Sequence, residues 1–304
     1  MHLPKVARMR PSIRGIYAPV VTPFKAQQVD FDALGSNLIR YRDTPLAGVV
    51  ILGSNGEAVM LDDDESDAVL VAARRAWPTE RTLIAGTGRE STAATIAATR
   101  RAADAGADIA MVRTPSFFKA RITSECFIRH YEEVADHSQL PILLYNVTMF
   151  TGVSLPVEAA VRLAKHERII GLKDSGSDLA LLGEFINRPA APFVVLAGSA
   201  PTLYPALAIG AAGAVLAVAG IVPDVCVRIQ ELVNAGRHDE AREWQRRLTP
   251  LAQAVGTRYG IPGLKVALTI AGYTGGEARL PLLPAPPEAE ATIRAALDAL
   301  HVHA

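Results

Sequence analysis

The sequence predicts an α/β protein, a single (β/α)8 barrel with a C-terminal helical extension, and three observations carry that reading. Eight short apolar runs, each closing on a small or polar residue, begin at positions 16, 48, 82, 109, 142, 169, 193 and 214. Helical stretches separate them, and alternating strand and helix eight times over this length builds a closed barrel of parallel strands. Past about residue 236 the alternation stops and only helical segments follow. We therefore expect residues 12–236 to form the barrel and 237–304 to form helices packed on it.

Taken in order, the expected strands are 16–21, 48–52, 82–85, 109–112, 142–146, 169–173, 193–197 and 214–219. The segment 62–76 is the clearest helix, with Asp62, Asp63, Asp64 and Glu65 in its first turn and Arg74 and Arg75 in its last. That order of charges matches the helix macrodipole, so the acids read as a helix start and not as a metal cluster. From 189 to 223 no charged side chain occurs, which is long enough to cross a bilayer. Pro192, Pro201, Pro205, Gly198, Gly210, Gly213 and Gly220 break that run, and it divides into a strand at 193–197, a helix at 201–209 and a strand at 214–219. The extension supplies helices at 238–247, 264–270 and 287–300.

Composition narrows the functional classes. Half of the 304 residues are hydrophobic and 20% are charged, the balance of a chain that buries a large core. Lys plus Arg number 31 and Asp plus Glu number 31, so the basic field that sequence-independent nucleic-acid binding needs is missing. Cys126 and Cys226 form no CxxC pair, and we expect both as buried thiols in a reducing compartment. Lys5, Arg8, Arg10 and Arg14, interspersed with Pro4 and Pro11, leave no apolar core for a secretory signal, so the expected location is cytoplasmic, with no membrane partner.

In such barrels reactive groups lie at the carboxyl ends of the strands. The second strand runs into Gly53-Ser54-Asn55-Gly56-Glu57, where glycines permit a tight turn and Ser54 and Asn55 offer hydrogen bonds to a small carboxylate; taken alone, the run also fits a plain turn. The fifth ends in Tyr145-Asn146, a phenol at the barrel mouth or a packed ring. The sixth ends Gly171-Leu172-Lys173-Asp174, and alternation puts Gly171 and Lys173 on one face. An amine held in apolar surroundings is in part neutral, the form that attacks a carbonyl, whereas a rim lysine would reach solvent. Gly171 would leave room for a ligand beneath it.

Together Gly53-Ser54-Asn55-Gly56-Glu57, Tyr145-Asn146-Val147 with Thr151-Gly152, and Gly171-Leu172-Lys173-Asp174-Ser175-Gly176 resemble the pyruvate-dependent class I aldolase family that includes dihydrodipicolinate synthase and N-acetylneuraminate lyase. The likeness runs from about Gly15 to Pro284. Gly53-Ser54-Asn55-Gly56-Glu57, Leu196-Ala197-Gly198-Ser199-Ala200 and Tyr259-Gly260-Ile261-Pro262-Gly263-Leu264-Lys265 resemble its 4-hydroxy-2-oxoglutarate aldolase branch.

The resemblance implies that Lys173 forms a Schiff base with the C2 keto group and that Tyr145 is the acid/base. It implies that Ser54 and Asn55 hold the pyruvate carboxylate, that Ser54 also hydrogen-bonds Tyr145, and that Ser175 lies beside the second half of the substrate. No metal and no cofactor is implied, in keeping with the absence of a ligand cluster; His130 and His137 are expected at the surface. A homotetramer built from two close dimers is implied, with the adjacent Phe117 and Phe118 needing the cover that an interface provides.

Two residues depart from the family pattern. Phe117, in Thr114-Pro115-Ser116-Phe117-Phe118, stands where many members carry a tyrosine reaching across a subunit interface to complete a proton relay. Phe150 stands where the synthase pattern has arginine, and Thr148 where it has proline, which removes a bidentate carboxylate receptor. Both phenylalanines are expected to line the substrate pocket. The expected reaction is reversible cleavage of a 4-hydroxy-2-oxo acid to pyruvate and an aldehyde, with 4-hydroxy-2-oxoglutarate giving glyoxylate as first choice. A sugar-acid or aromatic aldolase, a dehydratase, and a weakly active oxo-acid binding protein are the alternatives.

Overall fold

The computed structural model describes residues 13–190 and 192–301. Lys5, Arg8 and Arg10, on which the reading of the amino terminus rested, lie outside the described residues. Eight parallel strands close into a barrel: β1 (Gly15–Pro19), β2 (Gly48–Ile51), β3 (Thr82–Gly86), β4 (Ile109–Arg113), β5 (Ile142–Asn146), β6 (Ile169–Asp174), β7 (Val194–Ala197) and β8 (Gly213–Val215). Each strand pairs with its sequence neighbours, and β1 closes the ring by pairing with both β8 and β2. This is the (β/α)8, or TIM, barrel that the alternation predicts.

Side chains alternate in and out along these strands. Tyr17, Val50, Ile84, Met111, Leu143, Leu196 and Val215 fill the barrel centre. Ala18, Val49, Leu83, Val112, Leu144 and Val195 point outward under the helices. Strands buried on both faces read as continuous apolar runs, which is why the sequence shows them so plainly. The outer ring is α1 (Phe31–Tyr41), α2 (Asp63–Ala76), α3 (Thr92–Asp104), α4 (Ser124–Asp136), α5 (Val157–Leu163), α6 (Leu179–Asn187), α7 (Leu203–Ala208) and α8 (Pro223–Asn234). The acids of α2 are the helix start that the sequence predicts: the Asp62 side chain accepts from the Glu65 amide at 2.8 Å, completing a capping box.

Several expectations change. The last barrel strand stops at Val215, and Ala217–Gly220 is a 3-10 turn whose Ala219 amide bonds the Leu216 carbonyl at 3.0 Å. An apolar run buried on all sides reads alike as strand or tight turn, so periodicity could not find this boundary. A small hairpin, Phe24–Lys25 with Gln28–Val29, follows β1. Its turn residues Ala26 and Gln27 have φ of 49° and 64°, left-handed values without the glycine or asparagine that would have signalled them. Among the described residues no helix is long and apolar enough to cross a membrane.

The extension comprises α9 (His238–Gln253), α10 (Gly260–Ile270) and α11 (Glu288–His301). Helix α9 continues past Pro250 and runs into a π-helical turn, Ala254–Arg258, which joins it to α10. Cys226 is buried in α8 as expected, but Cys126 is exposed on α4. His130 also departs from expectation and is buried at 6% relative exposure, while His137 is on the surface. The signal was present: Phe127, Tyr131 and Val134 recur at helical spacing, with His130 on the same buried stripe.

Candidate active site

The barrel's carboxyl end brings together residues that the sequence holds far apart. Strand β6 carries an irregularity, since Ile142 pairs with Ile169 but Leu143 pairs with Gly171. Ile170 faces the barrel centre while Leu172 faces the helices, so the extra residue returns Lys173 to the inner face. Gly171 serves this packing and does not open ligand space: a Cβ there would lie 2.2 Å from the Val194 carbonyl oxygen of β7. Lys173 is 5% exposed, and its Nζ lies 4.1 Å from the centre of the Tyr145 ring on the neighbouring strand. The Tyr145 hydroxyl shares a hydrogen bond of 3.2 Å with Ser54 Oγ. Amine, phenol and serine hydroxyl thus form one chain.

The turn carrying Ser54 and Asn55 is a 3-10 turn, Ser54–Gly56, and its strain does not sit where the sequence suggests. Gly53 has an ordinary φ of −78°, whereas Leu52 and Glu57, which bracket the turn, have φ of 57° and 54°. Left-handed residues with side chains cost on the order of 1–3 kcal/mol each and persist only where the surroundings over-determine them. The Glu57 carboxylate is fully buried against Lys265 Nζ at 2.5 Å and accepts the Arg279 amide at 2.9 Å. Thr22 Oγ1 donates to the Gly56 carbonyl at 2.7 Å.

Tyr145 stands between two cavities. One, of about 470 Å³, is lined by Asn55, Tyr145, Lys173, Ser175 and Phe150, with Ser177, Ser199, Gln253 and Thr257 further out. The other, of about 230 Å³, is lined by Ser54, Tyr145, Met111, Arg89, Glu90 and Arg113. Among the described residues that line the larger cavity Lys173 is the one cation and there is no carboxylate, so the outer wall offers uncharged hydroxyl and amide groups with the apolar Met149, Phe150 and Ile261. Among the described residues no group of three or more His, Cys, Asp or Glu side chains is arranged to hold a metal ion.

The walls are held from outside. Asn146 Nδ2 donates to Asp174 Oδ1 at 2.6 Å, and Asp174 Oδ2 accepts the Gly176 amide at 3.1 Å, fixing the turn that presents Ser175. Burial holds the Asp174 carboxyl above the usual range, against the pull of these donors. On the opposite side Glu90 accepts the amides of Ser116 and Phe117, each at 2.8 Å, and Arg113 Nη1 at 2.7 Å. Burial works against the Glu90 charge, but these donors outweigh it and hold the carboxyl below the usual range. His130, close by, is pushed down to about 4 by burial; its Nδ1 meets Thr92 Oγ1 at 2.9 Å and its Nε2 is buried without a partner.

Of the residues singled out from sequence, Lys173, Tyr145, Asn55, Ser175 and Phe150 line one cavity, and Ser54 reaches it through Tyr145. Phe117 lines neither of these two cavities: its ring is 77% exposed and meets Phe118 edge to face at 5.1 Å. Sequence reasoning missed Arg113, although alternation from Met111 places it on the inner face. It also missed the π turn, whose Thr257, with Gln253 at the end of α9, closes the outer wall.

Residues 12–300 match the dihydrodipicolinate synthetase family. The chain belongs to that family. It is 34% identical over 285 residues to a 4-hydroxy-tetrahydrodipicolinate synthase of Exiguobacterium sp., covering 93% of this chain and 97% of that protein. It is 33% identical over 296 residues to a probable mitochondrial 4-hydroxy-2-oxoglutarate aldolase of Emericella nidulans, covering 95% of each. The crystal structure of the chloride-inhibited dihydrodipicolinate synthase from Acinetobacter baumannii, complexed with pyruvate, superposes with a TM-score of 0.90 at 29% identity and covers 96% of this chain and 100% of that one. Membership of the dihydrodipicolinate synthetase family makes the chain an enzyme, a lyase acting on carbon–carbon bonds.

Proposed function

We propose that the chain is a class I aldolase that cleaves a 4-hydroxy-2-oxo acid to pyruvate and an aldehyde. The observation that carries this reading is the buried Lys173 amine against the Tyr145 ring, with Tyr145 hydrogen-bonded to Ser54. Lys173 Nζ adds to the C2 carbonyl, the carbinolamine loses water, and a protonated imine forms. Tyr145 takes the proton of the C4 hydroxyl, the C3–C4 electron pair moves into the imine, and the aldehyde leaves. The enamine that remains regains a proton at C3, and water then releases pyruvate and the free amine. Ser54 and Asn55, with their backbone amides, would hold the carboxylate, and the smaller cavity beside Ser54 would be the route by which Tyr145 exchanges protons with water.

The Emericella relative supports 4-hydroxy-2-oxoglutarate, yielding glyoxylate, as the donor. A second reading rests on the outer wall: with no cation beyond Lys173, a neutral hydroxylated or aromatic distal half finds matching partners in Ser177, Ser199, Gln253 and Phe150. The same wall argues against synthase activity, since no guanidinium occupies it. Phe117, Phe118, Met149, Phe150 and Val59 are large exposed apolar groups on loops after the strand ends. Their exposure supports a tetramer of close dimers in which Phe117 reaches the partner's site. Two free thiols, one exposed, support a reducing, cytoplasmic setting. The deciding experiment is a screen of pyruvate release across 4-hydroxy-2-oxo acids with acidic, neutral and aromatic distal halves. We expect release from the dicarboxylate; release only from neutral donors would select the second reading, and release from none would remove the aldolase assignment.

A further inference from the structure

The motif ending in Lys265 is absorbed by none of the chemistry above, yet it reaches the site from beneath. Lys265 lies in α10, in the extension, and is 2% exposed. Its Nζ meets Glu57 Oε1 at 2.5 Å, donates to the Thr22 carbonyl at 2.8 Å and donates to the Glu277 carbonyl. A carboxylate and two carbonyl oxygens around one amine favour the ammonium form, which has no lone pair to attack a carbonyl. Burial, the larger effect, holds the Lys265 amine below its ordinary value, and Glu57 works against that lowering. Glu57 is the residue that leaves the Ser54–Gly56 turn in the left-handed conformation, and Thr22, whose carbonyl Lys265 holds, is also the residue whose hydroxyl anchors the Gly56 carbonyl. Glu57 and Thr22 on the far side of the turn therefore both meet Lys265, with the Arg279 amide as a further donor to Glu57.

We propose that Lys265 is a positioning residue that, through Glu57 and Thr22, holds the Ser54–Asn55 turn in the shape that receives the substrate carboxylate. The inference rests on the reading of that turn as the carboxylate cradle. A buried pair broken on one side leaves an uncompensated charge, so a single truncation destabilises the fold whatever its role. Removing both partners separates the two effects.

The test follows the pyruvate concentration that gives half-maximal borohydride-trapped adduct on the Lys173 peptide, the trapping rate at saturating pyruvate, and the thermal midpoint. For Lys265→Met we expect half-saturation to rise about tenfold, the loss of one well-placed hydrogen-bonding group, while the saturated rate changes little. Glu57→Gln, nearly isosteric, should raise it about threefold, since it keeps one acceptor oxygen but loses the second and the charge attraction. In the double variant Glu57→Met with Lys265→Met the thermal midpoint should recover, and the raised half-saturation should remain. Recovery of both would make the pair structural only and overturn the proposal, as would an unchanged half-saturation in Glu57→Gln. Asn55→Ala is the control for the underlying reading: if it leaves half-saturation unchanged, the cradle is misassigned. If it raises half-saturation while the Glu57 and Lys265 variants do not, only the positioning role fails.

Discussion

At the floor of the larger cavity Lys173 and Tyr145 stand on paired strands, and Ser54 stands on a turn clamped by Thr22 and Glu57. At the mouth, Met149 and Phe150 sit on a four-residue helix, Thr148–Thr151, and are about 60% exposed. The far wall there is the π turn, itself a departure from regular helix. The floor is built on rigid elements and offers one cation with hydrogen-bonding partners. The mouth is built on loops and offers apolar and neutral groups. On the proposed reading the floor would fix the reaction and the mouth would select what undergoes it, the way a shared barrel serves many substrates.

The comparison breaks most severely at the amine. Lys173→Arg should abolish pyruvate release, because a guanidinium stays protonated and cannot add to a carbonyl. Borohydride with pyruvate should place a permanent adduct on the Lys173 peptide of the unaltered enzyme, and an adduct on Lys119 instead would undo the assignment of the floor. Tyr145→Phe should lower turnover by roughly 10²-fold or more, the range for a lost general acid/base, with a smaller effect on pyruvate half-saturation. Near-full activity in that variant would make Tyr145 a packing residue.

A third test sharpens the contrast through pH. His130 lies near the Glu90 anchor of the Phe117 loop, away from the larger cavity. Its folded value of about 4 lies below the ordinary 6.5, so as pH falls the unfolded chain takes up the proton first. Stability should therefore decline from about pH 6.5 and level off below 4, by about 3 kcal/mol from a shift of this size. Glu90, held below its usual range, loses its contribution only at more acid pH. Denaturant titrations of His130→Asn across this window should show a flatter profile; an unchanged slope would place the acid sensitivity elsewhere.

The smallest expected effect is at Phe117. If its ring enters a partner's relay, Phe117→Tyr should speed imine formation a few-fold by supplying a fixed hydroxyl. If the distal half of the substrate packs on that ring, the added hydroxyl should weaken donor binding by about 1–3 kcal/mol. Rapid mixing with pyruvate and the KM of the best donor distinguish the two, and no change in either would remove Phe117 from any site.

Lys173 and Tyr145 were legible because each belongs to a buried strand, where alternation and burial are local properties of the sequence. The barrel itself was legible for the same reason, as were the charged start of α2 and the division of the uncharged stretch. The hydrogen bond of Ser54 with Tyr145, 91 positions apart, was implied by the family resemblance and by no local property, and tertiary structure alone decided the contact of Glu57 with Lys265. It also decided that Leu52 and Glu57, and not Gly53 or Gly56, are the left-handed residues of the Ser54 turn, and that Phe117 is exposed outside the larger cavity. Periodicity reports which side of an element is buried. Which residue meets which across the barrel mouth depends on loop geometry and on the register of strands, and β6 reaches its register only through an irregularity that adds one residue.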